Sequence, residues 1–237
     1  MKIIINADDF GVSPQVNRAI YKAAKEKYIT SCTLLAASEH LDEAIEMSKE
    51  MSEISLGVHL AFTKGPTGEP LYFNRNDSLN PRGANFLKLN ILIDEFTRQI
   101  ETLLEKGVQP THIDTHHHIH LYPLPLMASI VVAKRYGIKC IRSQKLYGSK
   151  SLMKSLYRLF HHAFVRSARM IQPDCYSDLK TFFHSKPENK PNTFVHEIMC
   201  HPGGKNANDE IYFNDEFFSP IRHKLISYRE LEKIKSR

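Results

Sequence analysis

Short apolar segments alternate along the chain with segments of helical periodicity, and this alternation constrains the fold more than any other feature of the sequence. A chain that repeats strand and helix in this way forms parallel strands with helices packed outside them. The pattern predicts an α/β protein, either a closed or partly closed barrel or an open doubly wound sheet. The length of 237 residues suits one large domain as well as two small ones, and no Pro-, Gly- or Ser-rich linker divides the chain.

Each predicted element is assigned from its apolar spacing and its flanking residues. Ile3 to Asn6 is a short buried strand, and a helix follows it with Ser13 as N-cap and Pro14 at the first helical position. The other predicted strands are residues 31–37, 54–62, 111–116, 140–142 and 195–200, and the other predicted helices are residues 41–50, 94–106 and 126–136. Thr63 to Pro81 lacks periodicity and predicts a long loop of the kind that often covers a site.

Polar residues stand at the carboxyl ends of several predicted strands. They are Asp8 and Asp9, His59, Asp114 and His116, Arg142, and His201. In a barrel these strand ends converge on one face, which is where barrel enzymes have their active sites. We therefore expect these side chains to lie close together.

Residues 111–120 read Thr-His-Ile-Asp-Thr-His-His-His-Ile-His and predict a metal site. Neutral imidazole is the commonest protein ligand for zinc-like metals, and it titrates near neutral pH. A metal-scavenging surface tract is the alternative, but Ile113 and Ile119 indicate a strand end that points into the protein. A regular strand would place Asp114, His116, His118 and His120 on one side. Since not all four can reach one ion, a site would combine two or three of them with a ligand from elsewhere.

Asp8, Asp9 and His59 each have a structural and a functional interpretation. A single histidine in an apolar strand is more often a core residue than a ligand. An Asp-Asp pair often caps a helix or lies in a solvated turn. Adjacent carboxylates on a strand point in opposite directions, so at a strand end one could bind a metal while the other holds a water or accepts its proton.

Four blocks of the sequence resemble the YdjC-like carbohydrate deacetylases, relatives of diacetylchitobiose deacetylase that are similar in outline to polysaccharide deacetylases. The blocks are Asn6-Ala7-Asp8-Asp9-Phe10-Gly11, Gly57-Val58-His59-Leu60, residues 111–120, and Glu197-Ile198-Met199-Cys200-His201-Pro202-Gly203. They extend from residue 6 to residue 203, so the resemblance covers nearly the whole chain.

The resemblance implies a single distorted (β/α) barrel domain over residues 1–237 and one divalent metal ion, magnesium or zinc. The ion would be bound by Asp9, His59 and His116, with Asp8 as the general base. No organic cofactor is expected.

His201 and Arg142 are the remaining candidates for the chemistry. His201 is the candidate general acid, because imidazolium donates protons near neutral pH, although the following Pro202-Gly203 turn also offers it a structural hydrogen bond. Arg142 could orient Asp8 or bind substrate oxygens, and a strand-end arginine is equally often part of a structural ion pair.

The expected reaction is removal of an acetyl group from an N-acetylated amino sugar or a short chitobiose-like oligosaccharide. A metal phosphoesterase or amidohydrolase is the nearest alternative, and a non-catalytic metal- or sugar-binding protein is the alternative from another class. The chain has no tryptophan to stack on a sugar ring. The aromatic residues that could replace it are Phe62, Tyr72, Phe73, Tyr122 and Tyr147.

Composition and charge limit the possible partners and the cellular location of the protein. The net charge is +6, and Lys145 to Arg169 is basic with interleaved aromatic residues, but no nucleic-acid motif accompanies it, so a solvated helix face is favoured over nucleic-acid binding. No apolar run approaches the ~20 residues of a membrane span, and no signal peptide is recognisable, which predicts a cytoplasmic protein. The four scattered cysteines predict buried, reduced thiols. A homodimer is expected from the resemblance and from the frequency of twofold pairs.

Overall fold

The computed structural model describes residues 1–62, 88–143, 147, 161–185, 190–204 and 208–235. Within these ranges seven parallel strands form one sheet in the order β5-β4-β3-β2-β1-β7-β6. The strands are β1 (Lys2–Phe10), β2 (Ser31–Leu34), β3 (Ser55–Leu60), β4 (His112–Thr115), β5 (Cys140–Ile141), β6 (Cys175–Asp178) and β7 (Val195–Cys200).

Helices follow most of the strands, as the alternating sequence pattern predicts. They are α1 (Pro14–Lys25), α2 (Leu41–Ser48), α3 (Leu89–Glu105), α4 (Pro123–Arg135), α5 (Leu179–Ser185), α6 (Asp215–Phe218) and α7 (Tyr228–Lys235), with short 3-10 segments at His116–Leu121, Asp209–Tyr212 and Arg222–Lys224. Residues 161–167 are also helical. Of the helices described, none has both the length and the apolar character needed to cross a membrane.

The two outer strands of the sheet approach each other, so the sheet curls into a distorted barrel. Cys140 in β5 forms a parallel bridge with Ile171, four residues before β6 begins. Farther along, the Tyr147 N–H donates to the Tyr176 carbonyl at 2.8 Å. The predicted barrel is therefore confirmed, and an open doubly wound sheet, whose edges stay apart, does not describe this fold.

Several predicted element boundaries differ from those observed. Ser13 caps α1 as expected, with its Oγ accepting from the Val16 N–H. Helix α3 begins five residues before the predicted start. Strand β6 and helices α5 and α7 were missed, because Cys-Tyr-Ser-Asp has no apolar run and the two helices are only seven and eight residues long. The predicted loop at residues 63–81 lies outside the described residues, and so does most of the basic segment at residues 145–169.

The barrel interior changes from apolar to polar along its axis. Near the amino ends of the strands, an apolar cluster joins the first strand residues to the C-terminal segment; its members are Ile4, Cys140, Val195, Ile226, Tyr228 and Leu231. Toward the carboxyl ends the interior residues become polar and remain buried; they are Asn6, Asp8, Thr33, His59, His112, Asp114, Arg142 and Glu197. All four cysteines are free and buried, as predicted. The fold thus concentrates charge at the end where the predicted site residues stand.

Gly57 is required by the close approach of β3 to a buried histidine. A Cβ added at Gly57 would lie 2.5 Å from Cε1 of His112. The His112 ring cannot move away easily, because Tyr228 stacks on it with ring centroids 3.7 Å apart. Gly57→Ala is therefore expected to lower the free energy of unfolding by about 1–3 kcal/mol, the usual cost of overpacking.

Urea unfolding monitored by circular dichroism would measure this loss. Gly107→Ala is the matched control, since the added Cβ there meets nothing within 4 Å, although its positive φ adds some strain. A Gly57→Ala protein as stable as wild type would show that the interior accommodates the methyl group.

Candidate active site

The histidine-rich segment does not continue as a strand, so its side chains have separate locations. Strand β4 ends at Thr115, and both His117 and His118 have φ of 53°, in the left-handed region. The expectation that alternate residues of this segment share one side is therefore wrong beyond His116. His120 is buried and its Nδ1 lies 2.6 Å from the Thr115 hydroxyl, while His117 is exposed. Of the histidines in this segment, His116 is the one whose ring nitrogen joins Asp9 and His59 in a group of possible metal ligands.

Asp9 has a left-handed backbone, which separates its role from that of Asp8. Its φ is 67°, and the pairing of β1 with β2 shifts register between Ala7 and Phe10. A non-glycine residue in this region costs roughly 1–3 kcal/mol, and such strain is concentrated at functional sites. The irregular turn leaves Asp8 among the buried interior side chains and gives Asp9 a 20% exposed side chain at the strand end.

Three donor atoms converge at the mouth of the barrel. Asp9 Oδ1 lies 3.2 Å from His59 Nε2 and 2.9 Å from His116 Nδ1, and the two imidazole nitrogens are 3.3 Å apart. Ligands on adjacent corners around an ion, with bonds of about 2.0–2.1 Å, lie roughly 2.8–3.4 Å apart. The three donor atoms therefore fit one divalent metal ion, with coordination positions left for water and a substrate oxygen.

His59 is oriented for ligation by groups on its opposite side. Its Nδ1 lies 2.7 Å from Asp114 Oδ1 and 3.3 Å from the Thr33 hydroxyl, which leaves Nε2 toward Asp9. Burial lowers the pKa of His59, but the carboxylates of Asp114 and Asp9 outweigh burial and hold that pKa well above its ordinary value. A proton and a metal ion thus compete for the same position, so metal affinity should fall as pH falls.

Asp114→Asn is expected to weaken metal binding by about 10- to 100-fold, because the carboxylate that fixes the His59 tautomer is lost. Competition with a chromophoric chelator at fixed pH would measure the dissociation constant. Glu197→Gln is the matched control: it removes a carboxylate from the same buried cluster, and the contacts of Glu197 are with Arg142 and Tyr228 rather than with His59. Equal affinity of the Asp114→Asn protein and wild type would contradict this role.

Arg142 is surrounded by carboxylates and has no exposed surface. Its two terminal nitrogens each lie 2.6 Å from an oxygen of Asp8, Nη2 is also 2.9 Å from Asp114, and Nε is 2.8 Å from Glu197. Burial lowers the pKa of Arg142, yet these carboxylates raise it well above its usual value. Of the alternatives for Arg142, orientation of Asp8 fits this geometry, whereas contact with substrate oxygens does not fit a side chain that is 0% exposed.

Asp8 lies between this guanidinium and the ligand cluster. Burial raises the pKa of Asp8, but Arg142 outweighs burial and holds that pKa below its ordinary value. Asn6 Nδ2 also donates to Asp8 Oδ1 at 2.9 Å. The carboxylate therefore stays ionised across neutral pH, with its orientation fixed from two directions. One oxygen of Asp8 lies within 4.8 Å of a ring nitrogen of His59.

His201 stands across the mouth from the ligands, after the end of β7. Its Nε2 is 3.9 Å from Asp8 Oδ2, and its side chain is 35% exposed. Its backbone N–H donates to Asp209 Oδ2 at 2.7 Å, which fixes the turn that carries it. The side chain is thus close to Asp8 and open to a bound molecule.

Sequence reasoning assigned no role to four buried residues that support the site. They are Asn6, Thr33, Glu197 and Tyr228. A polar residue inside a short apolar strand was the available signal for the first three. Nothing in the spacing of Tyr228 indicated that its hydroxyl reaches the barrel interior.

The chain is similar to known proteins in sequence and in structure. The family described as YdjC-like protein matches residues 2–232. A carbohydrate deacetylase from Clostridium beijerinckii is 30% identical over 99% of this chain and 91% of its own length, and one from Brevibacillus brevis is 31% identical over 85% and 81%. A crystal structure from Enterococcus faecalis V583, described as a cellobiose-phosphate cleavage protein, has a TM-score of 0.70 at 24% identity and covers 97% of this chain and 98% of its own.

The structural likeness supports the fold, and the sequence matches extend over the four blocks that carry the candidate residues. With a family match over residues 2–232, the chain belongs to the YdjC-like protein family.

Proposed function

We propose that the protein is a metal-dependent carbohydrate deacetylase, which hydrolyses the N-acetyl group of an amino sugar or a short amino-sugar oligosaccharide. The observation that carries the proposal is the convergence of Asp9, His59 and His116 beside the buried carboxylate of Asp8. The relatives named carbohydrate deacetylase, which match most or nearly all of the chain, support the same reaction.

The donor set determines what the site can hold. Two imidazoles and one carboxylate accept zinc or another transition ion, and the carboxylate with several waters also accepts magnesium. Such an ion supplies a Lewis acid, which polarises the acetyl carbonyl and lowers the pKa of water. The three ligands belong to β1, β3 and the turn after β4, so the barrel itself sets their spacing.

Asp8 acts as the general base in this proposal. Its carboxylate accepts a proton from water as the water oxygen bonds to the acetyl carbon. Arg142 fixes both oxygens of Asp8, so the carboxylate need not reorient during the reaction. The low pKa that Arg142 gives Asp8 keeps it in the proton-accepting form at neutral pH.

His201 acts as the general acid. When the carbon–nitrogen bond breaks, its imidazolium donates a proton to the amine nitrogen of the sugar, and acetate leaves as the second product. Its partial exposure and the distance of 3.9 Å between its Nε2 and Asp8 Oδ2 support this role.

Acetate release by the metal-stripped protein, with zinc, magnesium, manganese or cobalt added back, tests the proposal. The substrates are diacetylchitobiose and N-acetylglucosamine oligomers. Metal-dependent acetate is the expected result. A fully metallated protein that releases no acetate from this panel would contradict the proposal, and phosphate release from phosphorylated sugars would then favour a phosphoesterase.

A further inference from the structure

A buried carboxylate, Glu197, connects Arg142 to the C-terminal helix α7. Arg142 Nε donates to Glu197 Oε1 at 2.8 Å, and the Tyr228 hydroxyl donates to Glu197 Oε2 at 2.7 Å. We propose that Glu197 and Tyr228 are positioning residues, which hold Arg142 in the orientation that fixes Asp8. The inference rests on the proposed function, because Asp8 is the proton acceptor of that reaction.

The geometry of the guanidinium explains why its third nitrogen matters. Nη1 and Nη2 contact Asp8, and Nη2 also contacts Asp114, so these carboxylates hold the terminal edge of the planar group. Nε lies on the other edge, where Glu197 is its acceptor. Because the guanidinium is planar and rigid, a contact at each edge fixes the plane that presents Arg142 to Asp8. Without the contact at Nε the plane could tilt and carry Asp8 with it.

Tyr228 is itself fixed, and it reaches Asp8 by a second set of contacts. Its ring stacks on His112 at an interplanar angle of 8°. His112 Nε2 lies 3.0 Å from Asn6 Oδ1, and Asn6 Nδ2 donates to Asp8 Oδ1. Two buried chains of contacts therefore join Tyr228 to Asp8, one through Glu197 and Arg142 and one through His112 and Asn6.

The location of Tyr228 separates positioning from direct catalysis. It is the first residue of α7, and it packs with Ile226 and Leu231 near the amino ends of the strands, away from the barrel mouth. It is 1% exposed, so it cannot touch substrate. Any effect of its hydroxyl on turnover must pass through the buried contacts.

Tyr228→Phe tests the inference, because it keeps the ring and removes only the hydroxyl. A small displacement of a catalytic group slows the chemical step more than it weakens binding, so kcat should fall about 5- to 30-fold. KM and the metal content per protein should equal those of wild type. The nitrogen-15 NMR signal of the Arg142 Nε–H should shift and exchange faster with solvent.

Ile226→Val is the matched control. It removes one methylene group from the same apolar cluster, and the Ile226 side chain makes none of the hydrogen bonds that join Tyr228 to Asp8. Its loss of thermal stability should be comparable with that of Tyr228→Phe. Its kcat and its Arg142 Nε signal should nevertheless equal those of wild type. If Ile226→Val lowers kcat as much as Tyr228→Phe does, or if Tyr228→Phe leaves kcat and the Arg142 signal unchanged, the positioning role is wrong.

The NMR measurement keeps this inference separate from the proposed reaction. If wild type releases no acetate, the deacetylase proposal fails, while the Arg142 signal still reports whether Tyr228 holds the guanidinium. If wild type is active and the Arg142 signal does not respond to loss of the Tyr228 hydroxyl, only the positioning inference fails.

Discussion

Asp8→Asn is expected to lower kcat by about 10³-fold or more, the upper part of the range for loss of a general base. The amide has nearly the shape of the carboxylate, so it can still occupy the position beside Arg142 and Asn6, but it cannot accept a proton from water. The proposed ligand atoms belong to Asp9, His59 and His116, and none of them is altered. Metal should therefore remain bound at one ion per chain.

Acetate release and metal analysis of the same preparation would measure both outcomes. Glu197→Gln is the comparison that separates proton transfer from charge balance, because it also removes a negative charge from Arg142. Its loss of kcat should be far smaller than that of Asp8→Asn. An Asp8→Asn protein with near-normal turnover would show that another group accepts the proton.

The clustering of the candidate residues could be predicted from the sequence because it follows from the architecture. Once the chain is recognised as alternating parallel strands and helices, the carboxyl ends of β1, β3 and β4 must lie at one end of the sheet. Asp9, His59 and His116 occupy these ends, and the structure brings their donor atoms within 3.3 Å of one another. The alternation of parallel strands with helices and the polar residue types were sufficient for this step.

The backbone geometry of the site could not be predicted in the same way. Asp9, His117 and His118 have positive φ values, which sequence patterns do not indicate for residues other than glycine. These conformations end the regular alternation of β1 and β4, so the periodicity that located the strands fails where the site begins. Tertiary contacts hold these residues in the strained region, and the sequence gives no local signal of those contacts.

The buried contacts that support the site join residues distant in sequence, and they could not be predicted either. Arg142 meets Glu197 across 55 residues, and Glu197 meets Tyr228 across 31. Strand β6 and helix α7 had too little apolar periodicity to be recognised, so the order of strands beyond β5 and the segment that covers the amino end of the barrel stayed undetermined. Local pattern predicts elements, whereas these contacts depend on how the barrel closes.

Arg142→Met is expected to lower the free energy of unfolding by about 3–5 kcal/mol, the usual cost of removing one partner from a buried ion pair. Asp8, Asp114 and Glu197 are each at most 1% exposed, and Arg142 is the only cation among the described residues that contacts all three. The methionine fills most of the volume of the arginine stem but leaves Asp8 and Glu197 without the guanidinium that contacts both of them, and leaves Asp114 with His59 as its remaining ion-pair partner. The carboxylates must then take up protons or draw water into the interior.

The pH dependence of the free energy of unfolding distinguishes loss of the Arg142 charge from a packing defect, because a packing defect alone would not change with pH. In wild type Arg142 lowers the folded-state pKa of Asp8, so the stability contributed by Asp8 is present above the unfolded pKa of about 3.9 and is lost only as pH falls below it. This contribution of Asp8 to stability is constant between about pH 7.5 and about pH 5.5. In Arg142→Met burial acts on Asp8 without the guanidinium and raises its folded-state pKa. The folded variant then binds more protons than folded wild type, so the stability of the variant relative to wild type should rise as pH falls through this window.

Urea unfolding of the metal-free proteins at both pH values would measure the two slopes, and metal removal is needed because metal affinity also changes with pH. Arg98→Met is the matched control. Its guanidinium is paired with Glu95 on the surface with a 57% exposed side chain, and a substitution there should change stability by no more than about 0.5 kcal/mol. An Arg142→Met protein that is as stable as wild type, or whose stability relative to wild type falls on acidification within this window, would show that the buried carboxylates do not depend on Arg142. In that case the contacts through His112 and Asn6 would have to hold the Asp8 carboxylate in place without Arg142.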